Sequence, residues 1–343
     1  MTLPQSIETE DELEELLSEP TPAVIETLAR LPGDLIVLGV SGKMGPSLAR
    51  MAKRAGDAVG SRRRVMGVAR FAQGGREALE RHGIETIACD LLDDAQVLRL
   101  PDAAHVVFMA GRKFGSTGDE PTTWAVNVWL PTVVCRRYRD SRIVVFSSGN
   151  VYGLTEVADG GSREDDTPRP VGEYAMSCLG RERLFDYFSR SFGTAMAIIR
   201  LNYACDLRYG VLVDLARQID RSEPIDLSMG HFNTLWQGDA NAMALAALAH
   251  VSSPPWLVNV TGPESLSTRA AAERLGERLG KRVRFKGGEA TTALLSDASL
   301  AFERFGRPAV RAERLIEWVA DWIRRGGRTL NKPTHFESRS GRF

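Results

Sequence analysis

Short apolar segments alternate with segments of helical periodicity from Asp34 to Arg200, and this alternation limits the possible folds more than any other feature of the sequence. The apolar segments have the length and composition of β-strands and cover residues 34–40, 65–69, 84–89, 104–110, 142–147 and 194–200. Because strands that alternate with helices form βαβ units, the pattern predicts an α/β fold built on a doubly wound parallel sheet of six strands.

The flanking sequence predicts two further parts of the molecule. Residues 1–33 contain two short amphipathic segments separated by Pro20 and Pro22, which predicts an N-terminal helical extension. After residue 200 the alternation loosens into helices near 239–250, 267–280 and 310–325, a strand at 256–260 and a polar tail. We therefore expect residues 34–200 to form the sheet domain. We expect residues 201–343 to form mainly a smaller substrate-binding lobe above the carboxyl ends of the strands, together with a C-terminal tail.

Composition argues against several classes of function. The 44 basic and 44 acidic residues give a formal net charge of zero, so no field of one sign attracts nucleic acid or an anionic membrane. No apolar run approaches the roughly 20 residues that span a bilayer. The four cysteines are widely spaced, and the five histidines lack the spacing of metal ligands. We expect a soluble cytoplasmic protein that acts on a small molecule and binds no metal, nucleic acid or membrane.

The first predicted strand runs directly into the glycine-rich sequence GVSGKMG at residues 39–45, and Pro46 then occupies a favourable first helical position. Glycines let the backbone turn tightly and approach a pyrophosphate, while the amides at the helix N-terminus face its negative charge. A tight strand-to-helix turn without a ligand is the alternative. The position at the first strand-helix junction favours a dinucleotide-binding (Rossmann) domain. The predicted cofactor residues here are Gly39, Ser41, Gly42, Lys43, Met44 and Gly45.

The second strand predicts which dinucleotide binds. An acidic residue at the end of this strand usually binds the adenosine ribose of NAD, whereas an arginine nearby accommodates the 2′-phosphate of NADP. Residues 66–73 contain no carboxylate, and Arg70 stands where a 2′-phosphate would be met, with Lys43 in the loop as an assisting cation. The alternative is that Arg70 is a solvated loop charge. We expect NADP to be preferred to NAD.

Further motifs follow in the same order as in one known family. Cys89-Asp90-Leu91 comes after the third predicted strand, Met109-Ala110-Gly111 after the fourth, and Asn127 lies in the helical segment WAVNVWLP. With the glycine loop, these make residues 34–325 resemble the NAD-dependent epimerase/dehydratase family, the extended short-chain dehydrogenases/reductases. The resemblance implies that Asp90 and Leu91 lie beside the adenine, that Met109, Ala110 and Gly111 line the cofactor, and that Asn127 has a supporting role.

The catalytic motifs of that family also have counterparts. Ser147-Ser148-Gly-Asn-Val-Tyr152-Gly153 ends the fifth strand, and a proline-rich segment leads to Tyr174. The resemblance implies that the Tyr174 hydroxyl exchanges a proton while a hydride moves between substrate and nicotinamide. It implies equally that Ser148 orients the reacting oxygen, and that Asn202, after the sixth strand, faces the substrate.

One position departs from the family pattern. The family has a lysine four residues after the tyrosine, where this chain reads Tyr174-Ala-Met-Ser-Cys178. A free tyrosine has a pKa of about 10, and a nearby ammonium is the usual means of lowering it. A neutral cysteine thiol cannot supply that cation. Lys113 and Arg181 are the candidate replacements, although both are equally compatible with charges that face water.

These observations support two classes of function. The leading hypothesis is an NADP-linked oxidoreductase or epimerase that acts on a sugar, a nucleotide sugar or a similar hydroxylated or carbonyl compound, as the resemblance implies. A plain carbonyl reductase would use the same residues. The alternative is a catalytically silent dinucleotide-binding sensor or scaffold, for which Cys178 is the main support. The resemblance also implies a homodimer formed through the helices near Asn127 and Tyr174.

Overall fold

A seven-stranded parallel sheet forms the centre of the computed structural model, which describes residues 3–341. The strands in chain order are β1 Leu35–Leu38, β2 Val65–Ala69, β3 Glu85–Ala88, β4 His105–Phe108, β5 Arg142–Ser148, β6 Thr155–Glu156, β7 Met196–Leu201, β8 Ala204–Cys205, β9 Ile225–Asp226, β10 His231–Phe232, β11 Leu235–Trp236, β12 Trp256–Val260, β13 Leu266–Ser267, β14 Phe285–Lys286 and β15 Thr292–Ala293. The order across the main sheet is β12-β7-β5-β4-β1-β2-β3, and the remaining strands form four two-stranded pairs.

Helices connect the strands and cover the sheet. They are α1 Glu10–Leu17, α2 Pro22–Arg30, α3 Gly45–Ala58, α4 Arg76–Arg81, α5 Asp94–Leu98, α6 Glu120–Trp124, α7 Leu130–Arg137, α8 Gly172–Phe192, α9 Val211–Asp220, α10 Gln237–Ala246, α11 Thr268–Leu279, α12 Ser299–Phe305 and α13 Ala312–Arg324. Three 3₁₀-helices cover Gly149–Val151, Val157–Asp159 and Ala247–Ala249, and a π-helical segment, Ala125–Trp129, joins α6 to α7. Within residues 3–341, no helix is both long and apolar enough to cross a membrane.

Both faces of the sheet are covered, which explains why its central strands are apolar throughout rather than alternating with polar residues. Val37 and Val107 pack with α2, α3 and α10 on one face. Ile36 and Val106 pack with α5, α7 and α8 on the other. The chain therefore has the doubly wound α/β fold that the alternation of its sequence predicts.

The sheet has one strand more than the sequence predicted. Strand β12 pairs with β7 at the edge, although residues 256–260 had been assigned to the second lobe. The apolar run WLVNV carries no information about its partner, so its place in the sheet depends on tertiary structure. Helix α10 likewise packs against α2 and α3 on the sheet. Residues after 200 thus contribute both to the sheet layer and to the second lobe.

A second core lies beside the sheet and joins the two ends of the chain. It contains Leu13 and Leu17 of α1 together with Leu315 and Trp318 of α13. Helix α1 begins with a capping box in which Thr9 accepts a hydrogen bond from the Glu12 amide, and this fixes its direction. The Trp318 indole donates a hydrogen bond to the Pro4 carbonyl over 3.2 Å. The N-terminal and C-terminal segments are thus part of one packed unit.

The direction of winding reverses between β1 and β4. Strand β1 lies between β2 and β4, and the chain leaves these neighbours towards opposite edges of the sheet. In open α/β sheets such a switch point leaves a crevice outside the carboxyl ends of the strands, where ligands bind. The glycine loop follows β1 directly and therefore lies at this crevice.

Candidate functional site

A cavity of about 600 Å³ occupies the crevice at the switch point. Its walls come from the glycine loop, the segments that follow β4 and β5, the first turn of α8, the second lobe and the C-terminal tail. The lining residues are Glu14, Gly39, Ser41, Gly42, Lys43, Met44, Gly45, Pro46, Ser47, Met109, Gly111, Lys113, Phe114, Phe146, Ser147, Ser148, Asn150, Tyr174, Leu201, Asn202, Tyr203, Ala204, Arg208, Tyr209, Leu330 and Lys332.

The glycine loop has the geometry that a dinucleotide requires. Gly39 has a φ of +90°, and a Cβ there would lie 2.7 Å from the Ala110 amide nitrogen. A Cβ on Gly45 would lie 2.2 Å from the Val40 carbonyl oxygen, so only glycine lets α3 begin this close to β1. A Cβ on Gly42 would approach only the Gly39 carbonyl, at 3.3 Å, and would otherwise project into the cavity. The loop therefore leaves a cradle at the N-terminus of α3 that fits a pyrophosphate.

The predicted cofactor residues divide into two groups. Residues of the glycine loop line the cavity together with Met109 and Gly111, whereas Arg70, Asp90, Leu91 and Ala110 lie outside its lining. Arg70 is exposed directly after β2. An Asp90 carboxylate oxygen accepts a hydrogen bond from the Leu92 amide and so stabilises the turn after β3.

Lys43 is hydrogen-bonded to the second lobe in this structure, and its assistance at a 2′-phosphate stays a prediction. Its ammonium crosses the cavity, donates a hydrogen bond to the Ala204 carbonyl over 2.7 Å and lies 4.3 Å from the centre of the Tyr209 ring. Burial lowers the pKa of this ammonium, an effect that the nearby Asp206 partly opposes. The aromatic ring and the carbonyl together stabilise the charge on the side of the cavity away from β2.

Two adjacent serines at the end of β5 have different partners. Ser147 donates a hydrogen bond to Glu182 over 2.6 Å, and Glu182 forms a buried ion pair with Arg200 at 2.8 Å. Ser148 donates a hydrogen bond to the Asn150 side chain over 3.0 Å and is also hydrogen-bonded to Tyr174. Ser147 is therefore held by a structural ion pair, and Ser148 is the serine that lies against the tyrosine.

Tyr174 lies in the first turn of α8, with its side chain hydrogen-bonded to Ser148 and to Cys178. Burial raises the pKa of its hydroxyl well above the usual value of 10, while the charge of Arg181 opposes this rise. Cys178 is fully buried against Val151 and Tyr152, and burial raises the pKa of its thiol too. The cysteine thus takes the place of the missing lysine without taking over its charge.

Lys113, in the loop after β4, places its ammonium group near Tyr174. Its ammonium nitrogen lies 5.9 Å from the centre of the Tyr174 ring. The same nitrogen donates a hydrogen bond to the Thr334 carbonyl in the C-terminal tail over 3.0 Å. Burial lowers the pKa of Lys113 to about 8, while the charges of Cys178 and Asp214 act in the opposite direction. Of the two predicted replacement cations, Lys113 is the one that lines the cavity.

Arg181 is also buried, but its hydrogen bonds are made to Asn127 and Phe146. Its guanidinium donates hydrogen bonds to the Asn127 side-chain oxygen at 2.5 Å and to the Phe146 carbonyl at 2.8 Å. The Asn127 amide in turn accepts a hydrogen bond from the Arg112 amide at 2.9 Å and donates one to the Arg112 carbonyl at 3.0 Å. Arg181 and Asn127 therefore fix the backbone of the residue directly before Lys113.

Asn202 lines the cavity from the end of β7 and is 2% exposed. Its amide group donates hydrogen bonds to the Asn233 side chain over 3.0 Å and to the Leu294 carbonyl over 3.4 Å. These two bonds occupy the donors of the side chain and leave its oxygen as a hydrogen-bond acceptor.

The family model for the NAD-dependent epimerase/dehydratase family matches residues 35–205, which contain the glycine loop, Ser148 and Tyr174. Residues 35–205 therefore form a domain of the NAD-dependent epimerase/dehydratase family. Solved structures of the same fold include the UDP-glucose 4-epimerase of Thermus thermophilus in complex with NAD, at 23% identity and a TM-score of 0.68 over 85% of this chain and 99% of that one. They also include the UDP-glucuronic acid 4-epimerase of Bacillus cereus in complex with UDP-glucuronic acid and NAD, at 20% identity and a TM-score of 0.70 over 84% and 98%.

A third solved structure, the UDP-glucose 4-epimerase of Thermotoga maritima with UDP-glucose, is 16% identical with a TM-score of 0.70 over 85% of this chain and 99% of that one. No curated protein matches the sequence. The matches cover 98–99% of each of these solved chains but only 84–85% of this chain, which therefore contains segments that the others lack.

Several cavity residues of this protein were missed by the sequence analysis. Asn150 stands inside the serine motif, and its two-residue distance from Ser148 was the signal that could have found it. Arg208 and Tyr209 follow β8 in the second lobe, and Leu330 and Lys332 belong to the tail. No local pattern marks these four, since only the folded chain brings them to the cavity. Among residues 3–341, no group of three or more histidines, cysteines or acidic residues could hold a metal ion.

Proposed function

We propose that this protein is an NAD(P)-dependent oxidoreductase or epimerase that acts on a hydroxyl-bearing carbon of a nucleotide sugar, with Lys113 in the role of the missing lysine. The observation that carries the proposal is the meeting of Tyr174, Ser148 and Lys113 in the cavity that also contains the glycine loop. The cradle formed by Gly39, Gly42 and Gly45 supports dinucleotide binding at the other end of that cavity.

The proposed roles follow from the contacts of each side chain. A bound nicotinamide dinucleotide supplies the hydride acceptor and donor. Tyr174, as its tyrosinate, takes the proton of the substrate hydroxyl, and the Tyr174 hydroxyl formed in this way later returns it. Ser148, which is hydrogen-bonded to Tyr174, orients the substrate oxygen. Burial and the neighbouring Cys178 raise the pKa of Tyr174, so this step requires a cation that stabilises the tyrosinate. We assign this role to the Lys113 ammonium, which lies beside the Tyr174 ring.

We propose NADP as the preferred dinucleotide. Arg70 is exposed directly after β2, where the sequence contains no carboxylate to bind a free ribose hydroxyl. A guanidinium binds a phosphate through paired hydrogen bonds, which favours a 2′-phosphate at this position. The related solved structures in complex with NAD show that the fold also accommodates the unphosphorylated dinucleotide.

The cations of the cavity support an anionic substrate. Lys332 lines the cavity from the tail, and Lys43 crosses it to Ala204. Arg208 lines it from the second lobe, where it is ion-paired with Glu14 and Asp206. The diphosphate of a nucleotide sugar carries the complementary charge, and the related structures named above are enzymes of UDP-sugars. We therefore propose UDP-glucose and UDP-glucuronic acid as the first substrates to test.

The test combines binding with turnover. Calorimetric titration with NADP and NAD measures the affinity for each cofactor. The absorbance of the reduced nicotinamide and chromatography of the sugar product then follow the reaction with each UDP-sugar. We expect binding and turnover in the wild type, binding without turnover in Tyr174→Phe, and a large loss of turnover in Ser148→Ala. Ser147→Ala is the matched control with respect to substrate orientation, since Ser147 bonds to Glu182 rather than to Tyr174. Full turnover in Tyr174→Phe contradicts the proposed proton transfer.

A silent dinucleotide-binding protein is the second candidate. It is favoured by the burial of Cys178 in the position of the lysine and by the raised pKa of Tyr174. This candidate predicts tight NADP binding, no change of the reduced cofactor with any UDP-sugar, and no effect of Tyr174→Phe on any measured property except local stability. The same titration and turnover experiments therefore separate the two candidates.

We also propose that two copies associate through α8 and the π-helical segment before α7. Large side chains are exposed there, including Trp129 at 53%, Met176 at 37% and Tyr187 at 62%. Exposed aromatic and methionine side chains of this density are typical of protein interfaces.

A reducing compartment such as the cytoplasm fits the four cysteines, which are all buried thiols.

A further inference from the structure

The C-terminal segment 329–341, named here the strap, runs across the mouth of the cavity without helix or strand. The Leu330 amide donates a hydrogen bond to the Arg208 carbonyl over 2.9 Å, at the start of the strap. Leu330 and Lys332 then form part of the cavity wall. At the other end, Gly341 packs so closely on the Val171 carbonyl, three residues before Tyr174, that an added Cβ would lie 2.0 Å from it. The strap thus spans the distance from the second lobe to α8.

The middle of the strap is anchored rather than loosely laid on the surface. Thr334 is 1% exposed, and its amide donates a hydrogen bond to the Asp214 carboxylate of α9 over 2.7 Å. Phe336 is 2% exposed and lies with its ring centre 5.8 Å from that of Phe232. The Arg339 guanidinium donates hydrogen bonds to the Thr292 carbonyl at 2.8 Å and to the Ser228 carbonyl at 3.2 Å. These contacts fix the position of the Thr334 carbonyl.

We propose that the strap is part of the active site, because the fixed Thr334 carbonyl holds the Lys113 ammonium beside Tyr174 and the strap shields both from water. The proposal rests on the proposed function of Lys113. Two sets of contacts position this lysine. Asn127 is hydrogen-bonded to the backbone of the preceding residue, Arg112, and the Thr334 carbonyl of the strap accepts a hydrogen bond from the Lys113 ammonium over 3.0 Å. Thr334 is therefore a positioning residue that acts through its backbone.

The electrostatic surroundings of Lys113 make the arrangement measurable. The groups that face its ammonium are Tyr174 and Cys178 from α8, Asp214 from α9, Glu337 from the strap and Lys43 from the glycine loop. Burial is the largest influence and lowers the pKa of Lys113 to about 8. Removal of the strap exposes the ammonium to water, and its pKa should then rise towards the ordinary value of about 10.4.

The first experiment measures Lys113 itself and needs no turnover. Full-length protein and a variant that ends at Arg328 are labelled with acetic anhydride between pH 6 and 11, and peptide mass spectrometry follows each lysine. Arg328 is retained because its carbonyl accepts the Trp322 indole hydrogen bond. We expect the labelling midpoint of Lys113 to rise by at least one pH unit in the shortened variant, with Lys286 on the surface unchanged. An unchanged midpoint for Lys113 overturns the proposal.

A point variant covers the case in which the shortened chain does not fold. Phe336→Ala removes the anchor of the strap within the full-length chain, and we expect a smaller shift of the Lys113 midpoint in the same direction. Phe305→Ala is the matched control, since this ring packs against Trp256 and His250 away from the strap. Equal midpoints in Phe336→Ala, Phe305→Ala and wild type would also overturn the proposal.

Turnover measurements then test whether the strap affects catalysis through Lys113. If the strap acts through Lys113, the shortened variant should lose at least tenfold in kcat, and the same truncation in the Lys113→Met background should cause almost no further loss. Independent, multiplicative losses would show that the strap does not act through Lys113. If the labelling midpoint shifts but the wild type shows no turnover, the strap does hold and shield Lys113, and the proposed enzymatic function is rejected instead. The failure of one proposal can therefore be distinguished from the failure of the other.

Discussion

Lys113→Met removes the ammonium beside Tyr174 while keeping an unbranched side chain that tolerates burial. The ammonium nitrogen lies 5.9 Å from the centre of the Tyr174 ring. An ammonium and a tyrosinate oxygen separated by roughly 6 Å attract each other by about 3 kcal/mol at an effective dielectric constant of about 20. A loss of that size corresponds to a rate reduction of about 100-fold. We therefore expect Lys113→Met to lower kcat by roughly two orders of magnitude with a small effect on NADP affinity.

The pH dependence of kcat/KM provides the sharper readout. Because burial lowers the pKa of Lys113 to about 8, its ammonium is present below that pH and is lost as the pH rises through it. Wild-type activity should therefore decline above about pH 8, and the Lys113→Met variant should lack this decline. Lys113→Arg, which keeps its charge at all these pH values, should retain activity further into the alkaline range.

The control is Lys286→Met, which removes a surface lysine whose ion pair with Asp226 spans 3.8 Å. It should leave both kcat and the pH profile unchanged. A Lys113→Met variant that keeps more than half of the wild-type kcat and the same alkaline decline, while Tyr174→Phe is inactive, would refute the proposed role of Lys113. That result would show that tyrosine works without this cation.

Four further predictions address the cofactor, the cysteine and the interface. Gly42→Asp should weaken NADP binding at least tenfold, about 1.4 kcal/mol, since the carboxylate projects to the pyrophosphate cradle; unchanged affinity by calorimetry would reject the site. Arg70→Ala should weaken NADP more than NAD, and equal losses would count against its role. Cys178→Lys should lower both kcat and the melting temperature, because position 178 is fully buried near the Lys113 charge; a gain in kcat would show that Lys113 is not the replacement cation. Trp129→Glu should yield monomers in sedimentation velocity without loss of NADP affinity, whereas an unchanged sedimentation coefficient would contradict the proposed interface.

Local patterns were sufficient to predict the parts of the molecule that depend on nearby residues. The strand at 65–69 has the predicted boundaries, and the helix predicted after the glycine loop begins at Gly45. Gly39 and Gly45 require contacts only with neighbouring backbone, so their spacing alone indicated the turn. Ser148 and Tyr174 were found through motifs whose order in the chain matches the family, and the structure places both at one cavity.

The remaining features depend on residues distant in sequence. Lys113 and Arg181 could not be ranked as candidate cations from the sequence, because only the folded chain shows that Lys113 lines the cavity while Arg181 lies behind it, hydrogen-bonded to Asn127. The contact between Lys113 and Thr334 joins residues 221 positions apart, and the one between Lys43 and Ala204 joins residues 161 apart. No periodicity or spacing reports such contacts. The place of β12 in the sheet was missed for the same reason.

The second core, which joins α1 to α13, also determines when this protein can finish folding. The Trp318 indole reaches the Pro4 carbonyl, and Arg328 pairs with Glu10 across 318 positions of sequence. During synthesis, Pro4 and Glu10 emerge long before Trp318 and Arg328, so these two contacts form only after nearly the whole chain has been made. Closing so long a loop is slow compared with forming the local βαβ units. The nascent chain therefore passes through a stage in which the sheet has begun to form while these contacts between its two ends are still missing.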